Sequence, residues 1–160
     1  MRAKKHLGQH FLTDRQVLQH ILQVIAPTKA TLFVEIGPGL GALTEILLPH
    51  CRALTAIEID KDVLASLKHR CQHLGKLNIL NQDVLNVDFA TLWPEVSSYR
   101  LVGNLPYHIS TPILFLVLTA ASRIEDMHFM LQKEVTARMA ASPGTKVYGR
   151  LSVMVQYLAE

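Results

Sequence analysis

TLFVEIGPGLG, residues 31–41, is the stretch that decides the fold. Its first half is a continuous apolar run from Thr31 to Ile36, broken only by Glu35, which is typical of a strand buried on both faces. The glycines that follow allow a sharp turn and a close approach by a ligand. A helix behind the turn would offer free N–H groups to a carboxylate or phosphate. The stretch therefore predicts a strand, a ligand-binding turn and a helix.

The rest of the chain repeats this alternation of strands and helices. Apolar residues at helical spacing predict helices over residues 17–25, 41–48, 61–72, 112–121 and 133–141. β-Branched runs predict strands over 53–59, 77–80, 101–103, 127–131 and 151–158. The expected helix caps are Thr13 or Asp14, Asp60, and Ser110 or Thr111. The alternation implies an α/β fold with a mostly parallel sheet and helices on both faces.

Composition indicates one folded domain. Of the 160 residues, 49% are hydrophobic and 18% are charged, which excludes a disordered chain. The longest apolar run, residues 113–121, is shorter than the roughly 18 residues that indicate a membrane span. Two cysteines, Cys51 and Cys71, are too few for a disulfide framework, so free thiols and a cytoplasmic location are expected.

The charge is basic overall, with a formal value of +3. Its densest part is the N-terminus, where Arg2, Lys4, Lys5 and Arg15 are opposed only by Asp14. A basic arm over residues 1–12 is suited to contact with phosphates. The sequence thus favours a polyanionic partner.

The glycine turn by itself fits two cofactors. Gly37, Gly39 and Ala42 match the dinucleotide pattern G-x-G-x-x-[GA]. Glu35 favours a different ligand, because a carboxylate beside the turn is poorly placed for a pyrophosphate. It suits a ligand with an ammonium group, such as the methionine part of S-adenosylmethionine.

Two carboxylates follow the next strands. Glu58 ends the second predicted strand, 21 residues after Gly37, where a carboxylate accepts both ribose hydroxyls of either cofactor. Asp83 ends the third, where it would accept a hydrogen bond from an adenine amino group. An ordinary surface Glu58 and a turn or N-cap Asp83 remain open alternatives.

The fourth strand is followed by Asn104-Leu105-Pro106-Tyr107. An adenine amino nitrogen is a poor nucleophile because its lone pair is delocalised into the ring. The Asn104 side-chain oxygen and the Leu105 carbonyl would accept its two N–H groups and favour a pyramidal nitrogen. Pro106 restricts Leu105 to an extended conformation, and Tyr107 offers a flat face to an unstacked base. The alternative is a strand-ending turn with a core tyrosine.

Together these residues resemble the ribosomal RNA adenine N6,N6-dimethyltransferase family. The matching segments are residues 7–12, 34–44, 58–60, 82–83, 103–112, 129–135 and 148–153. The resemblance implies a Rossmann-like methyltransferase fold that uses S-adenosylmethionine. It further implies a monomeric, cytoplasmic enzyme that dimethylates two adjacent adenosines near the 3′ end of 16S rRNA, in the immature 30S particle.

The resemblance also implies the site residues. Catalytic contacts are expected from Asn104, Leu105 and Tyr107, and no metal is expected. Cofactor contacts are expected from His10, Leu12, Gly37, Glu58, Asp83 and Asn104. Bacterial members usually carry Asn where His10 and His108 stand, so backbone contacts at His10 are expected to persist and side-chain contacts are not.

The resemblance further predicts that residues 1–160 are the methyltransferase domain of a longer protein. The family continues into a small helical C-terminal domain that has no counterpart in this sequence. The chain is therefore expected to be truncated at its C-terminal side, and full activity of the chain alone is not expected.

Three rival functions stay open. A large-subunit rRNA adenine methyltransferase would share this chemistry, and a non-catalytic ribosome-assembly factor would keep the fold and the basic charge. A nicotinamide-dependent oxidoreductase would use the glycine turn but leaves residues 104–107 unexplained.

His69 and His73 have a metal-binding spacing, but no third ligand with matching spacing is visible.

Overall fold

A sheet of five parallel strands forms the centre of the computed structural model, which describes residues 14–159. The strands lie in the order β3-β2-β1-β4-β5. Their bounds are β1 Leu32–Ile36, β2 Ala53–Ile57, β3 Leu77–Leu80, β4 Tyr99–Asn104 and β5 Ile124–Met130. The helices are α1 Arg15–Ile25, α2 Ala42–Leu47, α3 Lys61–Cys71, α4 Ser110–Leu118, α5 Lys133–Met139 and α6 Arg150–Leu158. The predicted α/β fold with a parallel sheet is confirmed.

The strand order changes direction at β1. The chain first builds outward on one side through β2 and β3, then returns to place β4 on the other side of β1. Ile36 is consequently in register with Ile57 on one neighbour and with Gly103 on the other. Ligands of open α/β sheets bind beyond the carboxyl ends of the strands at such a reversal. The topology therefore places a candidate site after β1 and β4.

Helices cover both faces of the sheet, as predicted. Alternate side chains of each strand point to opposite faces. On one face, Phe33 and Leu54 pack with residues of α1, α2 and α3. On the other, Val34 and Leu101 pack with residues of α4. No helix within residues 14–159 combines the length and apolar character needed to cross a membrane.

Two of the predicted helix caps are confirmed and the third is wrong. Asp14 accepts a hydrogen bond from the Gln16 N–H at 2.8 Å, and Asp60 accepts one from the Asp62 N–H at 3.1 Å. The helix α4 begins two residues earlier than expected, after Ile109, with no side-chain cap. Ser110 is its first residue, and its hydroxyl donates instead to the Tyr107 carbonyl at 3.2 Å. The buried Ser110 therefore ties the helix to the preceding turn.

The predicted sixth strand is wrong, because residues 150–158 form the helix α6. Leu151 and Val155, one helical turn apart, pack with Leu114 of α4 and Val135 of α5. Packing on these helices outweighs the β propensity of the valines and of Tyr157. The fifth strand, β5, also begins three residues earlier than expected.

Candidate active site

A cleft of about 250 Å³ opens at the carboxyl ends of the strands. Its wall contains Gly37, Glu58, Asp83 and Asn104, four residues that the sequence predicts as cofactor ligands. A Cβ placed on Gly37 would lie 3.9 Å from the Asn104 carbonyl oxygen. We call residues 37–41 the glycine turn and residues 104–107 the Asn104 corner. Gly37 and Asn104 therefore lie close together, although they are 67 positions apart in the chain.

The turn after β1 depends on its glycines. Gly37, Gly39 and Gly41 have φ values of 65°, 54° and 84°, in the left-handed region that disfavours a side chain. A Cβ on Gly41 would lie 2.8 Å from the Leu67 side chain, so space is also lacking there. The Gly41 N–H closes the turn on the Pro38 carbonyl at 2.9 Å. The positive φ angles and the close packing at Gly41 therefore fix the backbone of the turn, which forms part of the cleft wall.

Glu58 joins the glycine turn to the end of β2. Its Oε2 accepts a hydrogen bond from the Gly39 N–H at 3.1 Å, and its Oε1 accepts one from the Asp60 N–H at 2.9 Å. Burial raises the pKa of the carboxyl, and the two backbone N–H groups counteract part of that rise. Each oxygen has a second lone pair. The side chain is therefore oriented and still able to accept a ligand hydroxyl.

Glu35 is also in the cleft wall and is almost fully buried, with 2% of its surface exposed. The Thr44 hydroxyl donates a hydrogen bond to its Oε2 at 2.6 Å. Burial, with a smaller contribution from the nearby Glu58 carboxylate, raises the pKa of Glu35 to about 7. The predicted carboxylate beside the turn is thus poised to change its charge near neutral pH.

Asp83 is a cap residue, as one of the two interpretations predicts, and it is also a residue of the cleft wall. It lines the cleft, and its Oδ1 also accepts the Leu85 N–H at 3.0 Å as the cap of a short 3₁₀ turn, Val84–Asn86. A nearby amide, Asn81, donates to the Glu58 carbonyl at 2.7 Å and so joins the ends of β3 and β2. The two strand ends are therefore held together at the cleft.

The Asn104 corner is only partly as predicted. Asn104 is the last residue of β4, and both Asn104 and Pro106 line the cleft. Leu105 has a buried side chain, and its N–H donates to the Met130 carbonyl of β5 at 3.2 Å. Tyr107 is 61% exposed and is not part of the cleft wall. The aromatic face expected beside the base thus lies outside the cleft in this conformation.

Comparisons with known proteins identify the family. The family model for ribosomal RNA adenine dimethylase matches residues 1–160. The chain belongs to the ribosomal RNA adenine dimethylase family. A curated relative, ribosomal RNA small subunit methyltransferase A of Xylella fastidiosa, is 57% identical over 159 residues, which are 99% of this chain. The chain spans about 60% of the length of that relative.

Solved structures confirm that this member of the dimethylase family has a Rossmann-like methyltransferase fold. A dimethyladenosine transferase from Plasmodium falciparum has a TM-score of 0.79 and 30% identity, over 92% of this chain and 52% of its own. The 23S rRNA methyltransferase ErmE has a TM-score of 0.77 and 28% identity, over 92% of this chain and 57% of its own.

Sequence reasoning missed several residues of the dimethylase cleft. Met130 lines it from the end of β5, and His108 lines it from the turn after Pro106. Met130 was predictable, because neighbouring parallel strands end at the same edge. Arg70 lines it from the last turn of α3, with its Nε donating to Glu45 at 2.6 Å. No signal in the sequence indicated Arg70.

Two predicted ligands, His10 and Leu12, lie outside the described residues, as does the basic arm over residues 1–12. Within residues 14–159, no group of three or more His, Cys, Asp or Glu side chains is placed to hold a metal ion.

Proposed function

We propose that the chain is the catalytic domain of an S-adenosylmethionine-dependent enzyme that dimethylates N6 of two adjacent adenosines near the 3′ end of 16S rRNA. One observation carries the proposal. Asn104 and Pro106 share a single cleft with the glycine turn and Glu58. A residue whose amide side chain is suited to an adenine amino group thus belongs to the same cleft as residues suited to a nucleoside cofactor.

The cleft residues fit that cofactor. Gly37 has no side chain, and a Cβ there would project toward Asn104. Glu35, Glu58 and Asp83 are acidic residues of the cleft wall, which favours a cationic ligand. In this proposal Glu58 holds the ribose hydroxyls, Glu35 faces the ammonium group and Asp83 faces the adenine amino group. S-adenosylmethionine supplies a methyl group on a positively charged sulfur.

The chain's own contribution to the chemistry is positioning. The Asn104 side-chain oxygen and the Leu105 carbonyl accept hydrogen bonds from the target amino group and favour a pyramidal nitrogen. Leu105 is well fixed for this role, since its side chain is buried, its N–H is bonded to Met130 and Pro106 follows it. Tyr107 stacks on the extruded base after a movement of its exposed side chain into the cleft.

The whole protein is proposed to act as a cytoplasmic monomer on immature 30S particles. The name of the Xylella fastidiosa relative supports the small subunit. Cys51 and Cys71 are free and buried, which suits a reducing compartment. The likeness to ErmE favours a large-subunit rRNA adenine methyltransferase as the second candidate.

A methyl-transfer assay tests the proposal. The chain is incubated with labelled S-adenosylmethionine and 30S particles that lack the modification, naked 16S rRNA or 50S particles. Dimethyladenosine in 16S rRNA is expected, and label in 23S rRNA would support the second candidate. Calorimetric titration with S-adenosylmethionine and NAD tests the cofactor site separately. Binding of S-adenosylmethionine without methyl transfer to any of the three RNA substrates would favour a non-catalytic assembly factor. Binding of NAD alone would favour an oxidoreductase.

A further inference from the structure

The last two helices form a strongly cationic unit, residues 133–158, which we call the α5–α6 unit. Its cations, Lys133, Arg138, Lys146 and Arg150, all belong to exposed residues. Glu134 is its single carboxylate. Most surface helices carry charges of both signs, some of them paired. A segment with mainly positive charge therefore favours a negatively charged binding partner.

The cations of this unit have no carboxylate partner among the described residues. Within residues 14–159 the ion pairs lie elsewhere, between Arg70 and Glu45 and around Asp126. Arg150 stacks on the Phe115 ring, with 4.9 Å between the guanidinium carbon and the ring centroid. Within residues 14–159 the four cations of the unit therefore take part in no ion pair, and they outnumber its one carboxylate, Glu134.

The unit begins at the rim of the cleft. Met130, the last residue of β5, lines the cleft and is in register with Asn104. The helix α5 starts only three residues later, at Lys133. The unit also packs on α4, which follows the turn after the Asn104 corner. The first cation of the unit, Lys133, thus follows Met130 by three residues, at the end of the strand that borders the half of the cleft proposed to receive the target base.

The wall of the other half of the cleft contains carboxylates. Glu58 and Asp83 line it at the ends of β2 and β3, and the one arginine of the described wall, Arg70, is paired with Glu45. Acidic groups favour a cationic cofactor on that side and repel a polyanion from it. A nucleic acid chain would therefore meet fewer negative charges on the side of β4 and β5, where the described part of the cleft wall contains no carboxylate.

Side-chain hydrogen bonds make the unit a fixed frame. The Ser152 hydroxyl donates to the Arg138 carbonyl at 2.5 Å and accepts the Gly149 N–H at 3.1 Å. The Gln156 amide donates to the carbonyls of Met139 and Ala141 at 2.8 and 2.9 Å. The end of α5 is thus bonded to α6, so the backbone that carries these cations needs little ordering when a ligand binds.

We propose that the α5–α6 unit is the surface that contacts the phosphates of the RNA strand flanking the target adenosine. The proposal rests on the proposed function for the identity of that adenosine. Each phosphate contact releases counterions. The logarithm of the RNA affinity should therefore fall linearly with the logarithm of the salt concentration, with a slope proportional to the number of contacts. This dependence gives the surface a measurable signature.

The test compares two triple variants with equal loss of charge. K133Q/R138Q/K146Q removes three exposed cations of the unit and leaves Arg150 on Phe115. The matched control, K61Q/K68Q/K76Q, removes three exposed lysines from α3 and the residue before β3. Binding of a labelled hairpin from the 3′ end of 16S rRNA is measured from 50 to 200 mM salt. Melting temperature and S-adenosylmethionine affinity are expected to match in all three proteins.

In the unit variant, the slope of log affinity against log salt is expected to become shallower by about 2, at roughly 0.7 per contact to single-stranded RNA. The control variant should keep the slope of the unmodified chain. Equal slopes in the two variants, or no binding of the hairpin by the unmodified chain, would overturn the proposed surface. If the slope changes in the unit variant but the unmodified chain transfers no methyl group, the proposed RNA surface is supported and the proposed function is overturned.

Discussion

The Glu58 carboxylate accepts the Gly39 N–H at 3.1 Å, and this bond connects the end of β2 to the turn after β1. Its other oxygen accepts the Asp60 N–H at 2.9 Å. A glutamine at position 58 would offer one acceptor oxygen in place of two. Replacement of Glu58 by glutamine therefore tests the proposed cofactor site.

Glu58→Gln is expected to weaken S-adenosylmethionine binding about tenfold to a hundredfold, equivalent to the roughly 1.5–3 kcal/mol of hydrogen bonds to a charged group. Calorimetric titration measures the change. Glu95→Gln, at an exposed position outside the cleft wall, is the matched control and should bind normally. Equal affinities for the two variants would exclude the ribose-binding role.

Glu35→Gln tests the buried carboxyl through the pH dependence of stability. The folded pKa of about 7 lies above the ordinary value of 4.5, so between these values the folded chain binds more protons than the unfolded chain. The contribution of Glu35 to stability is therefore present below pH 4.5 and is lost as pH rises through 7. Glutamine can still accept the Thr44 hydrogen bond but has no charge to bury.

The stability of Glu35→Gln relative to the unmodified chain should consequently increase from pH 5 to pH 8, by on the order of 3 kcal/mol. Urea unfolding at the two pH values measures the difference, and other titrating groups cancel in the comparison. A difference that stays constant with pH would show that Glu35 is ionised throughout this range.

Asn104→Ala is expected to lower the rate of methyl transfer at least a hundredfold, in line with the roughly 10²–10³ cost of losing one polar group that acts on the reacting atoms. RNA affinity should change far less, because phosphate contacts dominate it. Single-turnover transfer and RNA binding are measured on the same preparation. Equal turnover in the variant and the unmodified chain would contradict the role given to Asn104.

Tyr107→Ala should leave thermal stability unchanged, since the side chain is 61% exposed. Loss of stacking on the base, about 1–3 kcal/mol, should lower transfer to RNA roughly fivefold to 150-fold. Tyr107→Phe keeps the ring and should retain transfer. Normal transfer by the alanine variant would show that Tyr107 remains outside the cleft during the reaction.

Gly103→Ala tests the close contact of β4 with β1. A Cβ at this position would lie 2.6 Å from the Ile36 carbonyl oxygen, an immovable atom in the middle of the sheet. The expected loss of stability is about 1–3 kcal/mol, as for other overpacked sites. Gly149→Ala is the control, because its Cβ would meet no atom within 4 Å. Thermal melts that coincide for the two variants would contradict this packing.

Local patterns were sufficient for most of the fold. The strand β3 has the bounds that the sequence predicts, and the caps Asp14 and Asp60 lie at the expected helix starts. Such features depend on residues close together in the chain. The helix α6 was mistaken for a strand because its conformation depends on packing against α4 and α5.

The sequence by itself determined which side chains follow the strands, because a parallel sheet collects the residues after its strands at one edge. Only the tertiary structure decided which of them meet. Gly37 faces Asn104 because β4 returns to pair with β1, and the chain order does not contain that pairing. Tyr107 lies outside the cleft and His108 inside it, since the turn is oriented by the bond between Ser110 and the Tyr107 carbonyl. Long-range pairing and burial depend on the whole chain, and local residue preferences do not specify them.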